Sequence, residues 1–514
     1  MRRKRICVMA LALLVCLTLS LAGCSGGNDS DAQTDGVSII AANDYDITSF
    51  DPHKSNDIAS STALRAVYDT LIYANEQLQF EPGLAESWEY TDDNTLRIKI
   101  AEGVKFHNGT PLTTEDVKFS IERQQKSGFV GDIVSSIESI EIVDDLTLDL
   151  KVTDASAGVI AGLAHAGAAI LSKEHVEGLE AEGKSIDDDP VGTGPFIYES
   201  WTVGTEYTVK KNPDYFDENR AAKADRVTVR AMPEYNSQVV ALQNGEIDIS
   251  IFMSANNLTE IEADPSLTVV RYETTEETFA AFNCSKAPFD NVKLRQALNY
   301  TINRDNIIQV YMAGTGMPNY GVIGPSAVGY TGDVTKYEYD LDKAKALLAE
   351  AGYPDGLSFN LAVCTDYYAP AATVWQADLK KIGVDMTIEV MEVGAYYDMT
   401  GSAEHEVALS GWYGEPDPST TFNPCFNSEL IGKGGNNFAC FKSDEIDSLL
   451  EQALIEKDMA KRLEFYYEIS RIATENAVYA PMTSAEGFII LRDNISGVTP
   501  DLQGIIRLNG WTKS

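Results

Sequence analysis

"DLDKAKALLAEAGYPDGLSFNLAV" (340–363) reads as a helix, its stop and a strand in one stretch. Asp340 stands where an N-cap belongs, because its short carboxylate can accept from the unpaired N–H groups of the first turn. Gly352 terminates the helix and Pro354 blocks its continuation. "LSFNLAV" (357–363) follows as a strand, and "VDMTIEVMEV" (384–393) and "HEVALSGW" (405–412) repeat the pattern downstream. Helices alternate with them. In "DNVKLRQALNYTINRDNII", Leu294, Ala297, Leu298, Thr301 and Ile302 share one face. In "SDEIDSLLEQALIEKD", capped by Ser443, the face is Ile446, Leu449, Leu450, Ala453 and Leu454. Strand–helix alternation of this kind predicts an α/β protein with covered sheets.

Upstream, "VSIIAA" (37–42), "TLRIKI" (95–100) and "LTLDLKV" (146–152) read as strands. "ASSTALRAVYDTLI" predicts a helix, with Leu64, Val67, Tyr68, Leu71 and Ile72 at helical spacing. Thr114 is the expected N-cap of "TTEDVKFSIERQQKS", whose Glu115 and Asp116 suit a helix start. The chain has 514 residues, enough for two to four domains, and shows no internal repeat. The formal net charge is −38, with Asp and Glu spread along the whole length. Such a surface argues against nucleic acid as a partner, since phosphate binding needs clustered Lys and Arg.

The N-terminus has the layout of an export signal. "MRRKR" is basic, "ICVMALALLVCLTLSLAG" is apolar, and Leu21–Cys24, "LAGC", ends the run. This box looks like a bacterial lipoprotein signal, with 1–23 removed and Cys24 lipidated. Residues 24–36 are polar and small and read as a flexible tether. The expected location is extracytoplasmic, on the outer face of the cell membrane. Four cysteines remain in the body: Cys284, Cys364, Cys425 and Cys440. Cys425 and Cys440 close a short Gly- and Asn-rich loop able to carry one disulfide.

"SGWYGEPDPSTTF" (410–422) follows the strand "HEVALSGW" directly. Two prolines and a glycine make it a loop that displays Trp412 and Tyr413 beside Glu415 and Asp417. In open α/β sheets, ligands bind in the crevice at such strand ends.

Several stretches together resemble the extracytoplasmic solute-binding proteins, family 5, of peptide-type ABC transporters. They include "GLAESWEYTDDNTLRIKIAEGVKFHNGTPLTTEDVKFSIER" (83–123), "VGTGPFIYESWTVGTEYTVKKNPDYF" (191–216), "ALQNGEIDI" (241–249) and "AFNCSKAPFDNVKLRQALNYTINRDNII" (281–308). "YDLDKAKALLAEAGYPDG" (339–356), "GWYGEPDP" and "NNFACFKSDEIDSLL" (436–450) complete the series, in order along nearly all of the mature chain. The resemblance implies two hinged lobes with an inserted third domain. Lobe I would comprise 37–74, 190–281 and 487–514, the inserted domain 75–189, and lobe II 282–486. It implies no enzyme and no cofactor. The expected molecule is a monomeric, lipid-anchored binding protein that closes on a peptide and delivers it to permease subunits driven by cytoplasmic ATPases.

In dipeptide and oligopeptide members an acid three positions after the loop Trp pairs with the ligand's α-amino group. That offset lands on Glu415, with Asp417 as the alternative. Trp412, Tyr413 and Gly414 would line the ligand. The resemblance also places Tyr367 and Tyr368 in the cleft, in "CTDYYAP" (364–370), where dipeptide binders carry a carboxylate-clamping Arg that this chain lacks. Tyr45, Thr48 and Ser49 would face the ligand from the other lobe. Family ligands such as oligosaccharides, glutathione, haem and nickel chelates are the alternatives. A secreted hydrolase is the rival class, and the sequence contains no HExxH motif. The five histidines are scattered and read as core or surface residues, with no metal site.

Overall fold

Two long antiparallel strands, Leu267–Phe282 and Tyr479–Arg492, form the spine of the computed structural model, which describes residues 36–153, 157–251, 255, 258–433 and 436–514. The signal stretch and Cys24 lie outside the described residues. Val37–Ser514 forms one unit. Both long strands belong to a single mixed sheet that runs through the two lobes. On one side they continue into Val407–Tyr413, Ser358–Cys364 and Asp385–Met391. On the other lie Ile249–Ser250, Ser38–Asn43, Arg226–Ala231, Glu206–Lys211 and Phe196–Thr202. Ser358–Cys364 is parallel to both of its neighbours, which requires crossover connections, and helix Ala369–Lys380 supplies one.

Burial follows the apolar faces. Ile39, Phe50, Leu64, Phe196, Val227 and Trp511 pack one lobe. Phe282, Phe289, Leu361, Trp375 and Leu409 pack the other. Against that second lobe lies a further core of Phe422, Phe426, Ile446, Leu450 and Tyr466. The inserted region carries its own sheet, in the order Ala85–Asp92, Thr95–Ile100, Thr147–Val152, Ile137–Asp144. Leu96, Ile98, Leu148 and Leu150 of that sheet pack on Val117 and Ile121 of helix Thr114–Gln124.

Two sequence expectations shift. The N-cap is Thr113, one residue earlier, in a capping box with Asp116. The helix expected through Ile72 stops at Val67, and Tyr68 is extended at φ −122°, ψ 157°. The cause is tertiary: Gly192 and Gly194 approach the Val67 carbonyl so closely that a Cβ at Gly192 would lie 2.1 Å from its oxygen. Leu71 and Ile72 thereby enter the core of the inserted region and leave the helix face. The disulfide expectation is also corrected, since Cys425 and Cys440, like Cys284 and Cys364, are free thiols. Among the described residues no helix is long and apolar enough to cross a membrane.

The register of the spine shifts twice, between Glu273 and Glu277 and between Thr278 and Phe279, and the first shift is the larger. Pairing runs regularly from Leu267↔Arg492 to Glu273↔Glu486, then shifts to Glu277↔Ser484. A bulge of this kind frees backbone groups from the ladder and re-aims side chains. Thr275 N–H leaves the spine and donates to the Leu502 carbonyl at 2.8 Å. The bulge lies beside the end of Val407–Tyr413, where Glu276 pairs in register with Tyr413.

Candidate ligand-binding site

The expected loop is partly regular. Trp412 and Tyr413 are the last residues of the strand, and helix Ser419–Phe426 begins directly after Pro418. Between them the chain is pinned to the bulge. Gly414 N–H donates to the Thr275 carbonyl at 3.2 Å, and Thr275 Oγ1 donates back to the Gly414 carbonyl at 2.9 Å. A Cβ at Gly414 would lie 2.7 Å from Ala327 Cβ, so glycine is what allows this approach.

Side chains alternate along a strand. Trp412 therefore turns one way, its Nε1 donating to Thr421 Oγ1 at 3.3 Å. With Glu415 it lines a cavity of about 660 Å³ whose other walls include Arg65, Asp132, His165 and Gln503. All three regions of the fold thus contribute to this cavity. Gln503 Nε2 donates to Glu415 Oε2 at 2.9 Å. Burial pushes the Glu415 carboxyl above its ordinary range, while Gln503 and the charge of Arg65 pull it back. Arg65 is itself held by Asp501 at 2.8 Å. Burial, reinforced by the charge of Arg65, lowers His165 to about 4, so its ring is neutral. Its Nδ1 accepts from Gly167 N–H at 3.0 Å, which leaves the proton on Nε2.

Tyr413 turns the other way and joins Tyr367, Tyr368 and Tyr311. Ring centroids lie 4.9 Å apart for Tyr367 and Tyr368, and 5.3 Å for Tyr311 and Tyr367. Tyr367 donates to Glu276 Oε1 at 3.5 Å, and Tyr413 also bonds that carboxyl. Tyr367 and Tyr413 remain 53% and 44% exposed, so this surface is open to solvent. The strand edge beside it is unpaired but covered at its start, where Ser410 is buried. Val407–Tyr413 pairs with Ser358–Cys364 only through Leu409, which leaves Ser410–Tyr413 without a strand partner on that side among the described residues.

Three expected ligand residues have other work. Asp417 is fully buried and forms a two-point ion pair with Arg462, at 2.5 and 2.8 Å. It also accepts from Ser419 N–H and Oγ, so it fixes the helix start and cannot reach a ligand. Ser49 is buried and donates to Asp187 at 2.7 Å. Thr48 donates to Asp57 at 2.9 Å, and its N–H is taken by Ser60 Oγ. Both close the turn ahead of helix Ile58–Val67. Tyr45 stays 41% exposed on the opposite lobe, its hydroxyl pushed up to about 12 by burial and by Asp57 and Asp44. Nearby, Tyr235 donates to Asp44 at 3.3 Å. Glu276, Tyr311, Arg65, His165 and Gln503 were not singled out from sequence. The one available signal was the acid pair in "TTEETF" (274–279), just ahead of the apolar end of its strand.

A family model described as "Bacterial extracellular solute-binding proteins, family 5 Middle" matches residues 79–432. The chain belongs to this family. It is the substrate-binding component of an ABC importer and works outside the cytoplasm. Heme-binding protein A of Haemophilus influenzae is 29% identical over 95% of this solute-binding protein and 96% of its own length. Glutathione-binding protein GsiB of Escherichia coli is 28% identical over 90% and 92%. Among solved structures, the ABC transporter-associated periplasmic binding protein DppA from Helicobacter pylori, in complex with the peptide STSA, superposes with a TM-score of 0.76. It is 29% identical and covers 93% of this chain and 98% of its own. These likenesses agree with the two-lobed α/β architecture and its inserted third region.

Proposed function

We propose that this solute-binding protein captures peptides, with Glu415 receiving the ligand's α-amino group. The observation that carries the reading is the state of Glu415. Its carboxyl lines the cavity where all three regions meet, and its hydrogen-bond partner is a neutral amide. Burial without a full counter-charge raises such an acid, and an arriving ammonium supplies the missing charge. The unpaired edge at Gly411–Tyr413 offers backbone groups to an extended peptide, as in strand addition. The absence of Arg from 364–370 fits ligands whose carboxylate needs no clamp there. Solutes rich in negative charge, such as glutathione, suit the site less, given the net charge of −38 and two raised carboxyls.

Closure of the lobes would exclude water and complete the ligand's hydrogen bonds. The closed form would engage permease subunits, with Cys24 carrying the lipid anchor and the protein acting as a monomer. A thermal-shift panel of di- to octapeptides, their N-acetylated forms and oligosaccharides tests the reading. Free peptides should raise Tm by mass action, and N-acetylation should abolish the shift. Shifts with sugars alone would overturn it.

A further inference from the structure

We infer that Glu276 and its tyrosine walls form a second subsite, for a basic side chain on the bound peptide. This inference rests on the peptide reading and names the ligand class more narrowly. Glu276 sits in the bulge of the spine, where the register shift turns it out of the ladder. The described residues place no lysine or arginine in an ion pair with it, and the hydroxyls of Tyr367 and Tyr413 are its hydrogen-bond partners. Tyr311 and Tyr368 extend the wall, with Tyr311 and Tyr368 ring centroids 6.3 Å apart. Tyr235, on the opposite lobe, lies close enough for its hydroxyl to act on Tyr367. A carboxylate beside a cluster of tyrosine rings is the chemistry of an organic-cation site. Burial raises Glu276 above the ordinary carboxylate range, in agreement with a missing counter-ion.

The position relative to Glu415 selects a side chain over a second α-amino group. Glu276 pairs with Tyr413, the last residue of its strand, and Glu415 follows two residues later, so both acids stand at the same strand end. They also flank opposite faces of the strand end. An extended peptide with its α-amino group on Glu415 can therefore present a nearby side chain to Glu276. A lysine or arginine fills that place with a long apolar stem against the rings and a cation on the acid.

Calorimetric titration of the purified protein with Ala-Lys-Ala, Ala-norleucine-Ala and acetyl-Ala-Lys-Ala tests the assignment. The wild type should prefer lysine over norleucine by about tenfold or more, and Glu276→Gln should reduce that preference to within about twofold. Equal affinities in the wild type, or a preference that survives Glu276→Gln, would overturn it. So would equal losses of both free peptides in Glu276→Gln, because the acid would then hold the α-amino group. A probe without a peptide backbone separates this claim from the peptide reading: n-butylammonium against n-butanol, followed by ligand-observed NMR. Saturable binding of the ammonium alone, lost in Glu276→Gln, supports the subsite even if every peptide fails. Indistinguishable behaviour of the two probes overturns the subsite.

Discussion

Asp417 and Glu415 stand two positions apart and do opposite jobs. Asp417→Asn strips the charge partner from Arg462 inside a dry core, which should cost about 3–5 kcal/mol in denaturant unfolding. Glu415→Gln should leave unfolding nearly unchanged and weaken free-peptide binding by about tenfold or more. Glu277 supplies a third test. It is buried, raised well above the usual range by desolvation, and bonded to Asn319 at 3.0 Å. A carboxyl raised in the folded state favours folding in its protonated form, so it costs stability as pH climbs above the unfolded value of 4.5. Glu277→Gln should raise Tm at neutral pH, and the gain should shrink as pH falls toward that value. An equal gain at all pH would contradict this assignment. At this scale the sequence was only partly legible. "WYGEPDP" shows that acids and aromatics crowd together, but not which acid meets Arg462, a residue 45 positions from Asp417.

Elements were read more readily than sites. The strand 95–100 and the caps Asp340 and Ser443 stand where periodicity and capping chemistry put them, because those signals are local. The helix through Ile72 failed because its stop comes from Gly192 and Gly194, which lie beyond any local window. The bulge at Glu273–Glu277 was likewise hidden, since a register shift belongs to two strands far apart in sequence. One consequence belongs to this scale. Gly414 ties the strand end to the bulge, and a methyl there would meet Ala327 and Thr275 at 2.7 and 3.2 Å. Gly414→Ala should therefore lower Tm by a few degrees and weaken peptide binding together. A loss of Tm with unchanged affinity would show that the strand end does not position the ligand.

At the scale of the whole molecule, both lobes share one sheet, and the bulge interrupts the spine between them at the candidate site. Closure about this region predicts a smaller radius of gyration in solution scattering when peptide is added. The cavity's contributors, from Arg65 to Gln503, are separated by most of the chain, which is why composition and periodicity yielded an α/β fold but not the cleft. The measurement that bears most directly on the account is calorimetric titration of a free tripeptide and its N-acetylated twin at about pH 5.5, in two buffers of different ionisation heat. The free peptide should bind at least about tenfold more tightly, and any proton exchanged on binding should be released and not taken up, because an ammonium favours the charged form of a raised carboxyl. Equal binding of the two peptides, or a preference for the free peptide that persists undiminished in Glu415→Gln, would contradict capture through Glu415.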